Sequence, residues 1–186
     1  MKIIKNILSK EELNTFKRMV LSDGFAWFYN HKSVIYNSNT TSFSNLKKKY
    51  KNLYEHPYFT HNFINKGVSN SPWLKPLSSI FDKIYKDFDI KKIYRVKINY
   101  QPQYNLKKTE IYSTPHVDLN ELNNYSTILF YLNTCDGYTY FFDDKKVIKK
   151  IKSIGNSLVQ FDGDLLHGGS HPKKDKERIV LNINYI

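Results

Sequence analysis

The sequence predicts a mainly β domain, an all-β sandwich or barrel with the jelly roll among its forms, preceded by flanking helices. Three observations carry this. From residue 92 onward, short runs rich in Val, Ile, Tyr and Phe follow one another closely. Between them stand turn formers, namely Pro102, Asn133, Gly137, Gly155-Asn156 and Asp162-Gly163, with no long helical pattern intervening. Helical periodicity is confined to the first half of the chain.

Taken in order, Ser9 and Glu12 are spaced as a capping box, in which each side chain satisfies a free backbone amide of the other. Leu13, Phe16 and Val20 then mark one face of a helix ending near Gly24. Residues 25–60 hold aromatics, Asn and Ser without a sustained period, which reads as loops with short strands. Ser71-Pro72 opens a second helical region, where the missing amide proton of a first-turn Pro costs nothing. Leu77, Ile80, Phe81, Ile84 and Phe88 recur at helical spacing and predict a helix over 76–88 packed on the following sheet. Strands are expected at 92–100, 111–118, 125–132, 138–143, 147–151, 157–161 and 178–185. At 186 residues, without an internal repeat or a linker, the chain reads as a single domain: a helical and loop elaboration over 1–91 and a β core over about 92–186.

Composition bounds the function. Hydrophobic residues make up 40%, with 15 Tyr and 12 Phe, enough to build a core and so to exclude a disordered chain. A formal charge of +12 favours anionic partners, nucleic acid among them. The basic runs, Lys47, Lys48, Lys49 and Lys51 and then Lys145, Lys146, Lys149, Lys150 and Lys152, are short. They read more simply as a solubilising surface. Cys135 is the sole cysteine, which excludes an intrachain disulfide and points to a reducing compartment, the cytoplasm. No apolar run is long enough for a membrane span, and the first ten residues lack a signal-peptide core.

The chemistry gathers around His116-Val117-Asp118. On a strand, side chains alternate faces, so His116 and Asp118 point one way and offer an imidazole and a carboxylate to a divalent metal. The stretch 160–169 (QFDGDLLHGG) supplies a strand, a turn and a third candidate, His167. Its rival, His171, lies further from the strand, while Asp162 and Asp164 suit the turn, and His31, His56 and His61 show no comparable context. Two histidines and a carboxylate on one face of a non-haem iron leave three positions open, and zinc accepts the same donors. In the last strand Arg178, Val180, Asn182 and Asn184 alternate with Ile179, Leu181, Ile183 and Tyr185. The first set would line a polar cavity, where an inward arginine needs an anion.

These pieces together resemble the iron(II)/2-oxoglutarate-dependent oxygenase superfamily, in its prolyl 4-hydroxylase-like branch with the small phage-type members. The matching segments are PHVD at 115–118, STILFYLN at 126–133, NSLVQFDG at 156–163, LLHGG at 165–169 and RIVLNINY at 178–185. The resemblance implies a double-stranded β-helix core, jelly-roll and cupin-like, with His116, Asp118 and His167 as metal ligands and catalytic centre. It implies Arg178 as the residue that pairs with the far carboxylate of 2-oxoglutarate, steadied by Tyr131, with Thr127 and Leu129 lining the same pocket. A further family tyrosine corresponds to Tyr100, or else Gln101 or Tyr104 takes that role. Relatives often carry Ser or Thr two residues after the arginine, where this chain has Val180.

The implied activity is hydroxylation of a substrate with release of succinate and CO2. Iron(II) is the implied metal, 2-oxoglutarate and O2 are the cosubstrates, and ascorbate is admitted as an accessory. The oxidised group is expected to be a peptidyl proline or another protein side chain, with a nucleic-acid base or a small metabolite as other options. Segments 37–41 and 47–60 are expected to help shape the entrance. A non-catalytic cupin-like binding module is the alternative, and a virus-encoded chain acting in a host cytoplasm fits the phage-type likeness.

Overall fold

The computed structural model describes residues 1–32, 43–144 and 146–186. Segment 37–41 and Lys145, both singled out above, lie outside the described residues. The first half holds strand β1 (Lys2–Lys5), helix α1 (Lys10–Val20), strand β2 (Phe28–Asn30), helix α2 (Phe43–Lys49), and strands β3 (Leu53–Tyr54), β4 (Tyr58–Asn65) and β5 (Val68–Ser69). A 3-10 turn over Pro72–Leu77 then leads into helix α3 (Ser78–Asp87). The second half holds β6 (Ile93–Pro102), β7 (Tyr112–Ser113), β8 (Ser126–Tyr131), β9 (Tyr138–Asp143), β10 (Lys146–Lys152), β11 (Ser157–Asp162), β12 (His167–Gly169) and β13 (Glu177–Tyr185).

The strands assemble mainly into two antiparallel sheets. The larger runs β1-β11-β8-β13-β6-β4-β2, with β5 paired to β4, and the smaller runs β10-β9-β12. β3 and β7 form a short parallel pair. Helices α1 and α3 cover the outer face of the large sheet, where Phe16, Val20, Ile80 and Ile84 meet Val96, Ile98, Ile128, Phe130, Leu181 and Ile183 in one buried core. A second, smaller core lies on the other face, where Leu129, Tyr131, Val159 and Val180 pack with Phe141 of β9. Among the described residues no helix is long and apolar enough to cross a membrane.

Local chemistry sets the elements. The Ser9 hydroxyl accepts from the Glu12 amide at 3.2 Å while the Glu12 carboxylate accepts from the Ser9 amide at 2.7 Å, closing the capping box. α1 ends at Val20, earlier than Gly24, because Leu21 already leaves the helix. The second helical region opens at Ser71-Pro72 as expected, but as a 3-10 turn: the Ser71 hydroxyl caps it through the Trp73 amide, and the α-helix begins only at Ser78, after Pro76.

The short strands expected within 25–60 are present as β2, β3 and the start of β4, but the first half contributes more sheet than expected, since β1, β2, β4 and β5 extend the main sheet. β4 pairs with β6 from Phe59↔Tyr100 to Ile64↔Val96, so strands from both sides of residue 91 share one sheet. The expected strand 111–118 shrinks to Tyr112–Ser113 followed by an isolated bridge between His116 and His167. Pro115 has no amide proton to give to a ladder, and the chain turns away there.

Candidate functional site

The site is built on the inner face of the large sheet. Strand alternation sends Val96, Ile98 and Tyr100 into or against the outer core and leaves Arg95, Lys97, Asn99 and Gln101 on the other face of β6. β13 does the same with Arg178, Val180, Asn182 and Asn184. Antiparallel register sets Arg178 opposite Gln101, Val180 opposite Asn99, Asn182 opposite Lys97 and Asn184 opposite Arg95. Directly paired residues share a face, so the two strands carry a polar ladder into the protein, interrupted at Val180. All of these but Arg95 and Asn184 line a cavity, together with Tyr58, His116, Asp118, Leu129, Thr139 and His167.

At one end of the cavity His116, Asp118 and His167 bring their ligand atoms within 4.8 Å of one another. The two histidine backbones bond each other, His116 amide to His167 carbonyl at 2.9 Å and the reverse at 3.0 Å. Each ring is oriented by its own loop. Nδ1 of His116 lies 2.9 Å from the Thr114 carbonyl, and Nδ1 of His167 lies 3.0 Å from the Leu165 carbonyl. A carbonyl only accepts, so both Nδ1 atoms carry the proton, and a neutral ring then keeps its lone pair on Nε2. Burial, and next the neighbouring His167, pull His116 down to about 4, which keeps that ring neutral at physiological pH.

Asp118 is held from behind. Its Oδ1 accepts from Arg95 Nη2 at 2.7 Å and from Asn182 Nδ2 at 2.9 Å. Its Oδ2 accepts from Asn182, Asn184 and Thr127 at 3.0, 3.1 and 3.4 Å. Asn184 Oδ1 in turn accepts from Arg95 Nε at 2.8 Å, which fixes the direction of that amide. Burial opposes ionisation of Asp118, but a proton shared from His167 Nε2, and then Arg95 behind it, hold the carboxyl well below its usual range. Oδ2 also stands 3.5 Å from His167 Nε2. Two nitrogen lone pairs and a carboxylate oxygen aimed at one point repel unless a cation or proton lies between them. This donor set suits a divalent metal with open positions.

At the other end stands Arg178, 4% exposed. Its Nη1 donates to Gln101 Oε1 and its Nη2 to Thr139 Oγ1 at 2.8 Å, while its Nε has no protein partner. Thr139 Oγ1 also accepts from the Tyr131 hydroxyl at 2.9 Å. With both lone pairs engaged, the Thr139 proton is left to donate into the cavity. Gln101 and Thr139 are each neutral, so among the described residues the Arg178 charge has no counter-ion in its immediate shell. An anionic group is what this end lacks.

The expected residues are thus distributed unevenly. His116, Asp118 and His167 come together, and Arg178 lies in the same cavity. Tyr131 stands one step behind the cavity wall, against the Arg178 guanidinium and bonded to Thr139. Thr127 bonds Asp118 and Asn184 at the metal-ligand end, rather than joining the Arg178 end. Tyr100 is a correction: it faces the opposite side of β6, packed on Trp27 and Phe59, and Gln101 occupies the inward place. His171 is a wall residue, with Nδ1 3.1 Å from the Tyr54 hydroxyl and Nε2 3.3 Å from the Pro57 carbonyl. Asp162 shapes the turn by accepting from the Asp164 amide at 3.1 Å. Arg95, Lys97 and Thr139 carry site chemistry that the motifs did not mark. The period-two polar run of β6 was the available signal for the first two.

No family model matches the sequence, and no curated protein matches it. Solved structures do resemble the fold. An oxidoreductase of the 2OG-Fe(II) oxygenase family from Burkholderia pseudomallei is similar with a TM-score of 0.67 at 10% identity, over 98% of this chain and 83% of that one. A prolyl hydroxylase from Trichoplax adhaerens, in complex with a peptide fragment of the hypoxia inducible factor oxygen degradation domain, gives 0.62 at 14% identity, over 99% and 82%. A Pseudomonas putida prolyl-4-hydroxylase gives 0.57 at 13%, over 99% and 91%. The architecture of this chain is therefore the double-stranded β-helix of the 2-oxoglutarate/iron(II) oxygenases.

Proposed function

We propose that this chain is an iron(II)- and 2-oxoglutarate-dependent hydroxylase. One observation carries the reading: a single cavity has a His-His-Asp ligand set at one end and an arginine without a counter-ion at the other. Those are the two features that a dicarboxylate cosubstrate bridging a metal and a cation requires.

In this reading His116, His167 and Asp118 hold the iron, with both rings aimed by the carbonyls of Thr114 and Leu165. When bound, the iron supplies activation of O2 coupled to decarboxylation of 2-oxoglutarate to succinate and CO2. Arg178 pairs with the far carboxylate, and Thr139 and Gln101 complete its seat. Tyr131 acts through Thr139. Val180, which stands where relatives carry a hydroxyl, gives an apolar wall beside Leu129 that helps exclude water from the chain of the cosubstrate. Asn182 and Asn184 keep Asp118 ionised and oriented.

The prolyl hydroxylases among the similar structures, one with a bound peptide, support a protein side chain, peptidyl proline first, as the oxidised group. The test is iron-dependent conversion of 2-oxoglutarate to succinate by the purified protein. It is expected to fall to background in H116A and D118A. Wild-type protein that forms no succinate with iron and O2, across a screen of peptides and metabolites, would overturn the reading.

A further inference from the structure

Among the described residues, Lys97 is the one cavity-lining cation to which neither the metal nor the cosubstrate gives a role. It sits on β6 opposite Asn182, the residue that clamps Asp118, and its side chain makes no hydrogen bond. Its nearest carboxylate, Asp118, is already occupied by Arg95, Asn182, Asn184 and Thr127. Beside it, Asn182 Oδ1 and Asn99 Oδ1 are buried without a donor.

The charge balance points the same way. Three cations, Arg95, Lys97 and Arg178, face one carboxylate, Asp118, among the described residues of the cavity and its backing. A divalent metal and a dianionic cosubstrate cancel each other, so loading the site leaves the excess as it was. The cosubstrate has two carboxylates, and both have partners, one at Arg178 and one at the metal. Lys97 is half-buried, and a cation lining the cavity without a counter-ion selects an anion there over a neutral group. The missing anion belongs to a third molecule.

We infer that Lys97, next to the metal ligands, is the seat for a carboxylate on the primary substrate, and that Asn182 Oδ1 and the Asn99 amide receive a hydrogen-bond donor on that same molecule. This rests on the metal and cosubstrate reading above and narrows its substrate. The group oxidised lies beside an acidic side chain or a free carboxylate, so a proline flanked only by neutral residues is a poor fit.

The experiment uses full-length protein loaded with Mn2+ and saturating 2-oxoglutarate without O2, with acetate as the probe. Paramagnetic relaxation of the acetate methyl protons reports binding near the metal without turnover. Acetate is expected to give a saturable effect, and acetamide, its neutral isostere, none. K97M should weaken acetate by about tenfold or more, the size of one charge-assisted hydrogen bond, with K97R close to wild type. The affinity of K97M for 2-oxoglutarate should stay near wild type, which also reports that the variant is folded. Equal binding of acetate and acetamide, or acetate binding unchanged in K97M, would overturn the inference. So would a parallel loss of 2-oxoglutarate in K97M, which assigns Lys97 to the cosubstrate. Wild-type protein that takes up Mn2+ but no 2-oxoglutarate would instead overturn the reading beneath it.

Discussion

Four side chains donate to the Asp118 carboxylate, and their arrangement explains why a lone acid survives at 2% side-chain exposure. Arg95 supplies charge, whereas Asn182 spans both oxygens and so sets the plane of the carboxylate. Replacing Asn182 by Ala should lower metal affinity by roughly 10–100-fold, the usual effect of losing a residue that orients a ligand. Competition with a chelating dye would measure this, and an N182A affinity equal to wild type would remove Asn182 from the account. His171 gives a different residue-scale prediction. Its ring titrates at about 3 in the folded protein because of burial, against an ordinary value of 6.5. Between those values the unfolded chain holds the extra proton, so acid favours unfolding. The His171 contribution is complete above pH 6.5 and is lost as pH falls toward 3, by up to about 1.4 kcal/mol per pH unit. Denaturant midpoints for H171Q should therefore fall less steeply than those of wild type from pH 6.5 to 4.5. Parallel curves would contradict this assignment of the proton.

At the scale of elements, the site depends on how closely β12 runs past β7. A methyl group added at Gly168 would stand 2.7 Å from the Ser113 carbonyl oxygen, a backbone atom that cannot swing aside. G168A is expected to push β12 outward, taking His167 with it, at a cost of about 1–3 kcal/mol in stability. Metal affinity should fall as well, and thermal unfolding with and without Mn2+ separates the two effects. The elements also differ in how legible they were. β13 declared itself through strict alternation from Arg178 to Tyr185, and its polar and apolar faces lie where that alternation puts them. In β6 the polar face is equally regular, but Tyr94 and Tyr100 among many other tyrosines blur the register, which leaves Tyr100 and Gln101 as rivals in the sequence. Over 111–118 alternation alone does not reveal that Pro115 ends the ladder. Tyr58 to Ile64 is rich in strand formers, yet its own sequence does not mark β4 as a strand. Its partner, β6, lies more than thirty residues away, and only that pairing decides its state.

For the whole molecule, the large sheet provides the floor, and the candidate metal site couples its inner face to the small sheet through the His116–His167 bridge. The basic run of β10 has a local explanation. β10 is the outer strand of the small sheet, and Lys146, Lys149, Lys150 and Lys152 are exposed along it, where lysines discourage pairing with another chain. That role requires no polyanion. Because the proposed ligands His116, Asp118 and His167 join parts of the chain far apart in sequence, ligand binding should stabilise the entire fold. Mn2+ and 2-oxoglutarate at about 100 times their dissociation constants should contribute about 2.7 kcal/mol each, or roughly 5–10 °C in melting temperature. The shift should vanish in H116A.

The most direct measurement is the metal dependence of 2-oxoglutarate binding, followed by equilibrium dialysis without O2. The account predicts that the protein binds one 2-oxoglutarate in the presence of Fe(II) or Mn2+, much more weakly in its absence, and that H116A and R178M each abolish the effect. Binding that ignores the metal and survives both substitutions, or no binding at all, would contradict a cavity that joins His116, Asp118 and His167 to Arg178 through a shared cosubstrate.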